Sequence, residues 1–421
     1  MKLFLYNLLF LILIPIFVIR IIFKSIFDSD YRINFLQRFG ILNKNLNFDS
    51  NNKIIWFHAV SLGEVIGSQR IVKALSKEAN IFLTVSTPTG LRKAKEIFKK
   101  DNIEISYAPW DFYIFALTFI NDIKPNLIVI FETEIWPSII NIATKKDIPI
   151  ILSNGRISKK SYNAYKRFNY LVNNSFNKLS LVLAQSDSHK SRFQALGVKK
   201  EAIQISGSVK FDITASSSHY FPEIDSFTKN KYILAASTHK GEDKTVLAAY
   251  KTVLDSFPDI RLVIVPRHPE RSAEVNNLAK KYSLQTSIET KQIDSNSQVL
   301  IVDSIGKLPY LYQSAEAAFV GGSLIPRGGH NIIEPAFLGC PFIIGPHMFN
   351  FESIADDFIN SGSCKVATDE KSLSAEFINI LSNNDNALSL IRSANDIIAR
   401  NKGSLEKQVS AIIQILKREA K

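Results

Sequence analysis

The chain has 421 residues, 46% of them hydrophobic, which excludes wholesale disorder and gives room for two domains of ordinary size plus an appendage. A formal net charge of +12 points to anionic partners, among which phosphorylated lipid, nucleotide and nucleic acid all qualify, so charge alone selects none of them. Two cysteines, Cys340 and Cys364, lack metal-ligand spacing and read as reduced core residues.

Residues 3–19 are almost uninterrupted Leu, Ile and Phe, with Lys2 before them and Arg20, Lys24, Arg32 and Arg38 after. A membrane span needs roughly 20 apolar residues, a length reached here only if residues 21–23 join with Arg20 snorkelling. No small-x-small cleavage site follows, and the basic cluster predicts that the rest of the chain stays cytoplasmic. The expectation is an uncleaved membrane anchor over residues 1–24, in preference to a monotopic helix lying in the interface. A juxtamembrane segment and linker, 25–52, follows, with a polar, Asn-rich stretch at 43–53.

From residue 53 apolar runs alternate with helical patterns. Strands are expected near 54–58, 80–86, 126–131, 148–153 and 180–185, and helices near 64–78, 88–99, 111–123, 134–146 and 187–196. A Ser-rich break at 215–219 interrupts the pattern within a linker at 213–229. Alternation then restarts with strands near 231–236, 260–265, 298–302, 316–320 and 341–344, and helical patterns at 370–382, 385–400 and 404–418 close the chain. Such alternation predicts an α/β protein of two doubly wound, Rossmann-like domains, 53–212 and 230–421, facing a cleft, with ligands at the C-terminal ends of the strands.

Polar turns fall at those strand ends. His58-Ala59-Val60-Ser61-Leu62-Gly63-Glu64 opens the first helix, where the dipole favours an ionised carboxylate; Glu64 suits a general base and a plain capping glutamate equally. Phe131-Glu132-Thr133-Glu134-Ile135-Trp136-Pro137 sets two acids beside a Trp, and Glu132 is expected to cap the helix beginning near Pro137. Asn154-Gly155-Arg156 has the same character, as does Gly207-Ser208-Val209-Lys210-Phe211-Asp212, in which Lys210 suits a phosphate partner or a solvated hinge lysine.

In the second domain Ser237-Thr238-His239-Lys240-Gly241-Glu242, Pro266-Arg267-His268-Pro269 and Asp303-Ser304-Ile305-Gly306-Lys307-Leu308 each follow a strand. The fourth such stretch is 319–351, where a loop carrying Gly328, Gly329 and His330 leads into a short helix expected from Asn331. Free amides there suit a phosphate, and Glu334, one turn in, suits ribose hydroxyls. Four polar turns aimed at one edge favour a nucleotide pocket over four unrelated loops. Walker A and G-x-G-x-x-G motifs are absent, and Asp28-Ser29-Asp30, the D-x-D-like spacing, lies beside the anchor. No metal and no cofactor is predicted.

Taken together, H-A-V-S-L-G-E at 58–64, E-T-E-I-W-P at 132–137, N-G-R-I-S at 154–158, P-R-H-P at 266–269 and G-G-H-N-I-I-E-P at 328–335 closely resemble the bacterial 3-deoxy-D-manno-octulosonic acid (Kdo) transferases, over nearly the whole chain. The resemblance implies a GT-B glycosyltransferase that moves Kdo from CMP-Kdo to the lipid A precursor lipid IVA, with inversion, at the cytoplasmic face of the inner membrane. By the same resemblance Glu64 is the proton acceptor, and Glu134 and Lys210 stabilise the transition state. Arg267, His268, Ile305, Gly306, Lys307, Asn331, Ile332, Ile333 and Glu334 would contact CMP. Lys307 stands where an acid is as readily expected, and backbone contacts from that turn would survive the difference.

Two other readings are open from the residues alone. One is a GT-B enzyme using a UDP or ADP sugar. The other is a membrane-tethered protein that binds anionic ligands, against which stand the acids Glu64, Glu134 and Glu334, since polyanion binding has no use for them. No nucleic-acid-binding module is recognisable, so the expected partners are CMP-Kdo, lipid IVA and an anionic membrane surface.

Overall fold

The computed structural model describes residues 2–42, 46, 48–212, 220–291, 293–294 and 296–418. The expected Ser-rich break at 215–219, and residues 43–45 and 47 of the polar linker, lie outside the described residues. The chain divides into two compact units, Met1–Asp212 with Asn401–Lys421, and Ile213–Arg400.

The first unit is built on a seven-stranded parallel sheet: β1 (Ile54–His58), β2 (Asn80–Val85), β3 (Ile103–Tyr107), β4 (Leu127–Phe131), β5 (Ile150–Gly155), β6 (Leu181–Ala184) and β7 (Ile203–Ile205), in the order β3-β2-β1-β4-β5-β6-β7. Strands covered on both faces need continuous apolar sequence, and Leu127 to Phe131 are all buried. Successive side chains point to opposite faces, so Ile55 and Phe57 enter one core layer while Trp56 enters the other. β3 and β7, not anticipated from sequence, are edge strands with partly exposed residues, and one-sided burial leaves no apolar run to read. Strand order reverses between β1 and β4, so their C-terminal ends adjoin, with His58 opposite Ile130. That switch point brings the Glu64 turn beside the Glu132–Glu134 turn.

Helices cover the sheet where caps allow them to start. Thr87 accepts from the Gly90 amide at 3.1 Å to open Pro88–Ile97, with Pro88 in the first turn, where its missing N–H costs nothing. The N-terminal helix, Lys2–Phe27, is long and apolar enough over Leu3–Phe27 to cross a membrane, by length and composition. It is also seated on the first unit. The Tyr6 hydroxyl donates to Asp111 Oδ2 at 2.9 Å, the Tyr113 amide donates to Asn7 Oδ1 at 2.7 Å, and Phe10 stacks on Phe112.

The last helix, Ser404–Arg418, matches its expected span but belongs to the first unit, whereas the sequence reading carried the second domain to residue 421. Its buried Ile412 and Leu416 complete the core layer containing Ile55, Phe57 and Val65. An apolar helical stripe reveals that a helix packs and leaves open what it packs against.

The second unit repeats the plan: β8 (Tyr232–Thr238), β9 (Arg261–Pro266), β10 (Thr286–Ile288), β11 (Val299–Ile301), β12 (Ala317–Val320), β13 (Phe342–Ile344) and β14 (Lys365–Val366), in the parallel order β10-β11-β9-β8-β12-β13-β14. The short edge strands β10 and β14 again escaped the sequence pattern. Helices Glu242–Ser256 and Glu370–Ser382 bury Val246, Leu247, Leu373 and Phe377 against Ile233, Ala235 and Phe319. Asp369 and Ser372 form a reciprocal capping box at the start of the second of these helices.

Candidate active site

In the first unit, Glu64 lies in the opening turn of the helix Leu62–Leu75 directly after β1. Its carboxylate turns back onto its own loop, accepting from the Val60 amide at 2.8 Å and the Ser61 hydroxyl at 3.2 Å. Burial, with the nearby negative charge of Glu132 and then Glu134 adding to it, pushes its pKa up to about 7 against the pull of those two hydrogen bonds. General bases are most efficient with a pKa near the working pH.

Across the switch point, Glu134 accepts from the Trp136 indole Nε1 at 2.8 Å, and burial raises its pKa against that bond. The Trp136 ring in turn lies 4.4 Å from the ring of His58, whose Nδ1 pairs with Thr84 Oγ1 at 2.8 Å. Burial drives His58 down to about 3, so it packs as a neutral ring.

Glu132 is not the helix cap expected of it. The amides of Ser138 and Ile139, at the start of the helix Pro137–Lys145, donate instead to the buried carboxylate of Asp111, at 3.1 and 2.9 Å. Glu132 faces the other way, accepting from Arg156 Nε at 2.8 Å with Lys210 Nζ at 3.8 Å. Burial pulls the Lys210 ammonium below its ordinary pKa and Glu132 opposes that pull. The result is an alternating group of Glu64, Glu132, Arg156 and Lys210 at the C-terminal edge of the sheet. Its backbone is strained: Glu132 has φ +62° and Asn154 φ +53°, left-handed values that cost a non-glycine residue on the order of 1 kcal/mol or more and that cluster at working sites.

In the second unit the equivalent edge is basic. Arg267 and His268 are exposed at the end of β9, and the Arg267 amide donates to the Thr238 carbonyl at 3.0 Å. His239 and His330 approach Nε2 to Nε2 at 2.8 Å, and burial lowers both, His330 to about 4, so the His330 ring is neutral near neutral pH. Ser237, just before them, has φ +56°.

Glu242, fully buried, accepts from the amides of His239, Gly322, Ser323 and Leu324 at 2.7 to 3.0 Å, tying the turn after β8 to the turn after β12. Asn331 Oδ1 accepts from the Ile333 amide at 3.1 Å, and the helix it opens, Ile333–Phe337, starts two residues later than expected. With five residues its dipole is small. Glu334 is half-buried and its pKa is raised by that burial.

Several expected donor contacts have side chains committed elsewhere. Ile332 and Ile333 are buried, leaving only their main chain for a ligand. Lys307 Nζ is held by Glu223 at 2.5 Å and by Glu289, with the Lys307 and Glu289 side chains almost wholly buried. Ile305, by contrast, is 88% exposed beside Gly306 at φ +97°. Glu242, Asp111 and Arg156 had no assigned role in the sequence reading, because a carboxylate that gathers backbone amides from distant loops leaves no local pattern. Arg156 was visible only as part of a polar turn.

Residues 34–213 match the family model described as 3-deoxy-D-manno-octulosonic-acid transferase (kdotransferase), and residues 223–397 that described as glycosyl transferases group 1. A 3-deoxy-D-manno-octulosonic acid transferase of Haemophilus influenzae is 32% identical over 99% of each chain. The C-terminal CMP-Kdo binding domain of WaaA from Acinetobacter baumannii is 34% identical, over 41% of this chain and 91% of that one, with a TM-score of 0.39. UDP-GlcNAc 2-epimerase from Neisseria meningitidis matches at a TM-score of 0.54 and 13% identity, over 87% of this chain and all of that one, a likeness of fold. With two Rossmann-like domains of the GT-B kind and full-length similarity of this order, the chain belongs to the 3-deoxy-D-manno-octulosonic acid transferase family of glycosyltransferases.

Proposed function

We propose that the enzyme transfers Kdo from CMP-Kdo to a hydroxyl of lipid IVA, with inversion at the anomeric carbon and Glu64 as general base. The observation that carries the reading is the Glu64 carboxyl, held near pKa 7 at a strand end beside a second acid and two cations. A carboxyl poised near neutrality suits proton abstraction from a sugar hydroxyl in the transition state. The acceptor oxygen bonds to the anomeric carbon as the bond from that carbon to the CMP phosphate oxygen breaks. Glu64 keeps the hydroxyl proton, and the electron pair leaves on CMP. One displacement with a base and no protein nucleophile inverts the centre.

The transition state has oxocarbenium character, so the Glu134 carboxylate favours the developing positive charge and the Lys210 ammonium favours the departing phosphate. On the second unit Arg267 and His268 suit the CMP phosphate, Glu334 suits a ribose hydroxyl, and exposed Ile305 offers an apolar surface to the base. The apolar N-terminal helix and the net charge of +12 support work on a lipid acceptor at an anionic membrane surface, the cytoplasmic face of the inner membrane.

Glu64→Gln, assayed with CMP-Kdo and lipid IVA and product mass spectrometry, should lose roughly a hundredfold or more in turnover. Turnover within a few-fold of wild type would rule out the base. CMP should inhibit where UDP and ADP do not; inhibition by UDP instead would mean a different donor.

A further inference from the structure

The segment that carries Lys210, residues 207–212, has little regular structure of its own beyond a single 3-10 turn, Val209–Phe211. What holds it comes from almost two hundred residues away. The Ser208 amide donates to Asn401 Oδ1 at 2.9 Å, and Gln408 Nε2 donates to the Gly207 carbonyl at 3.3 Å. Asp212 reciprocates by capping the last helix, its carboxylate accepting from the Gly403 amide at 3.0 Å and the Leu405 amide at 2.5 Å. Gly207 sits at φ +79°, where a side chain would both strain the backbone and strike Ser404 Oγ.

Gln408 does more than hold one carbonyl. Its Oε1 accepts from the Ser153 hydroxyl at 2.7 Å and from the Asn154 amide at 2.8 Å, at the end of β5 where the backbone turns left-handed. Asn154 Oδ1 then accepts from the Val209 amide at 3.3 Å, next to Lys210. Gln408, Ser153 and Asn154 are all fully buried. A glutamine at the core position of an amphipathic helix, where Ile412 and Leu416 hold the following turns, carries a desolvation cost that an apolar residue would avoid. Its three hydrogen bonds offset that cost, and each goes to the strand end beside Arg156 or to the Lys210 segment.

We propose that Gln408, with Asp212, is a positioning residue for sugar transfer: the last helix of the chain sets the Asn154 turn and the Lys210 segment against Glu132, so the catalytic edge of the first unit is completed by residues 401–408. The inference rests on the reading of Lys210 given above. It makes the C-terminal helix part of the active edge as well as part of the core.

A double-mutant cycle in the full-length enzyme tests it. Gln408→Met keeps length and volume but leaves the Ser153 hydroxyl, the Asn154 amide and the Gly207 carbonyl without this partner. We expect kcat to fall about tenfold, the loss of a buried hydrogen-bond set, with the KM for CMP-Kdo unchanged. In a Lys210→Ala background the same change should cost less than about twofold, because the group it positions is gone. An equal fall in both backgrounds would overturn the inference while leaving the role of Lys210 intact. Lys210→Ala turning over like wild type would overturn both. If Gln408→Met does not fold, Asp212→Asn, which weakens the same clamp from its other end, is taken through the same cycle with the same outcomes.

Discussion

The Trp136 indole donates to the Glu134 carboxylate, Nε1 to Oε2 at 2.8 Å, and so fixes the orientation of an acid that sits three residues from a change in strand order. Trp136→Phe keeps the ring against His58 and removes the bond. A hydrogen bond to a charged group is worth about 1.5–3 kcal/mol, so kcat should fall roughly tenfold or more with little change in KM. Steady-state kinetics decide this, and an unchanged kcat would mean that Glu134 needs no such partner.

A pKa near 7 for Glu64 predicts that kcat/KM climbs as pH rises through neutrality and then levels, since the base works ionised. Glu132 is the largest electrostatic contributor raising that pKa. Glu132→Gln should therefore move the rising limb to lower pH, the direction expected when a neighbouring anion is removed. A pH–rate profile of the variant superimposable on wild type would separate the limb from Glu64.

The Lys307 side chain joins Glu223 and Glu289 within the second unit. Lys307→Met should leave the buried Glu289 carboxylate without a cation, with only the Ser304 hydroxyl donating to it, at a cost of about 3 kcal/mol, seen as a lower melting temperature. CMP affinity measured calorimetrically on the folded variant should stay within about twofold, well below a 1.4 kcal/mol change. A large loss of affinity with unchanged stability would return Lys307 to the donor site.

Glu242 gathers four backbone amides in a fully buried position. Glu242→Gln replaces one acceptor oxygen with a donor that faces those amides, so destabilisation of about 2–3 kcal/mol is expected. Thermal melting checks it directly. A variant as stable as wild type would mean that the loops after β8 and β12 hold their places without the carboxylate.

The central strands were legible because burial on both faces demands uninterrupted apolar sequence: residues 54–58, 127–131 and 232–236 announce themselves. The edge strands β3, β7, β10 and β14 were not, since an edge carries mixed sequence. Strand-end turns also stand out, because polar residues with Gly after an apolar run have few structural reasons to be there, and Glu64, Glu134, Lys210, Arg267 and His268 all fall in such turns.

The sequence by itself thus determined two parallel-sheet domains, an apolar N-terminal helix and the family. Only the tertiary structure decided which partner each polar side chain takes: Glu132 with Arg156 rather than with its own helix, Lys307 with two acids, Asp111 with the helix at Pro137, and Gln408 with the strand end beside Lys210. It also decided that the last helix completes the first unit. The reason is physical: apolar burial has a period that the chain displays locally, whereas a buried hydrogen bond is satisfied by whichever group the fold brings within 3 Å, often from far along the chain.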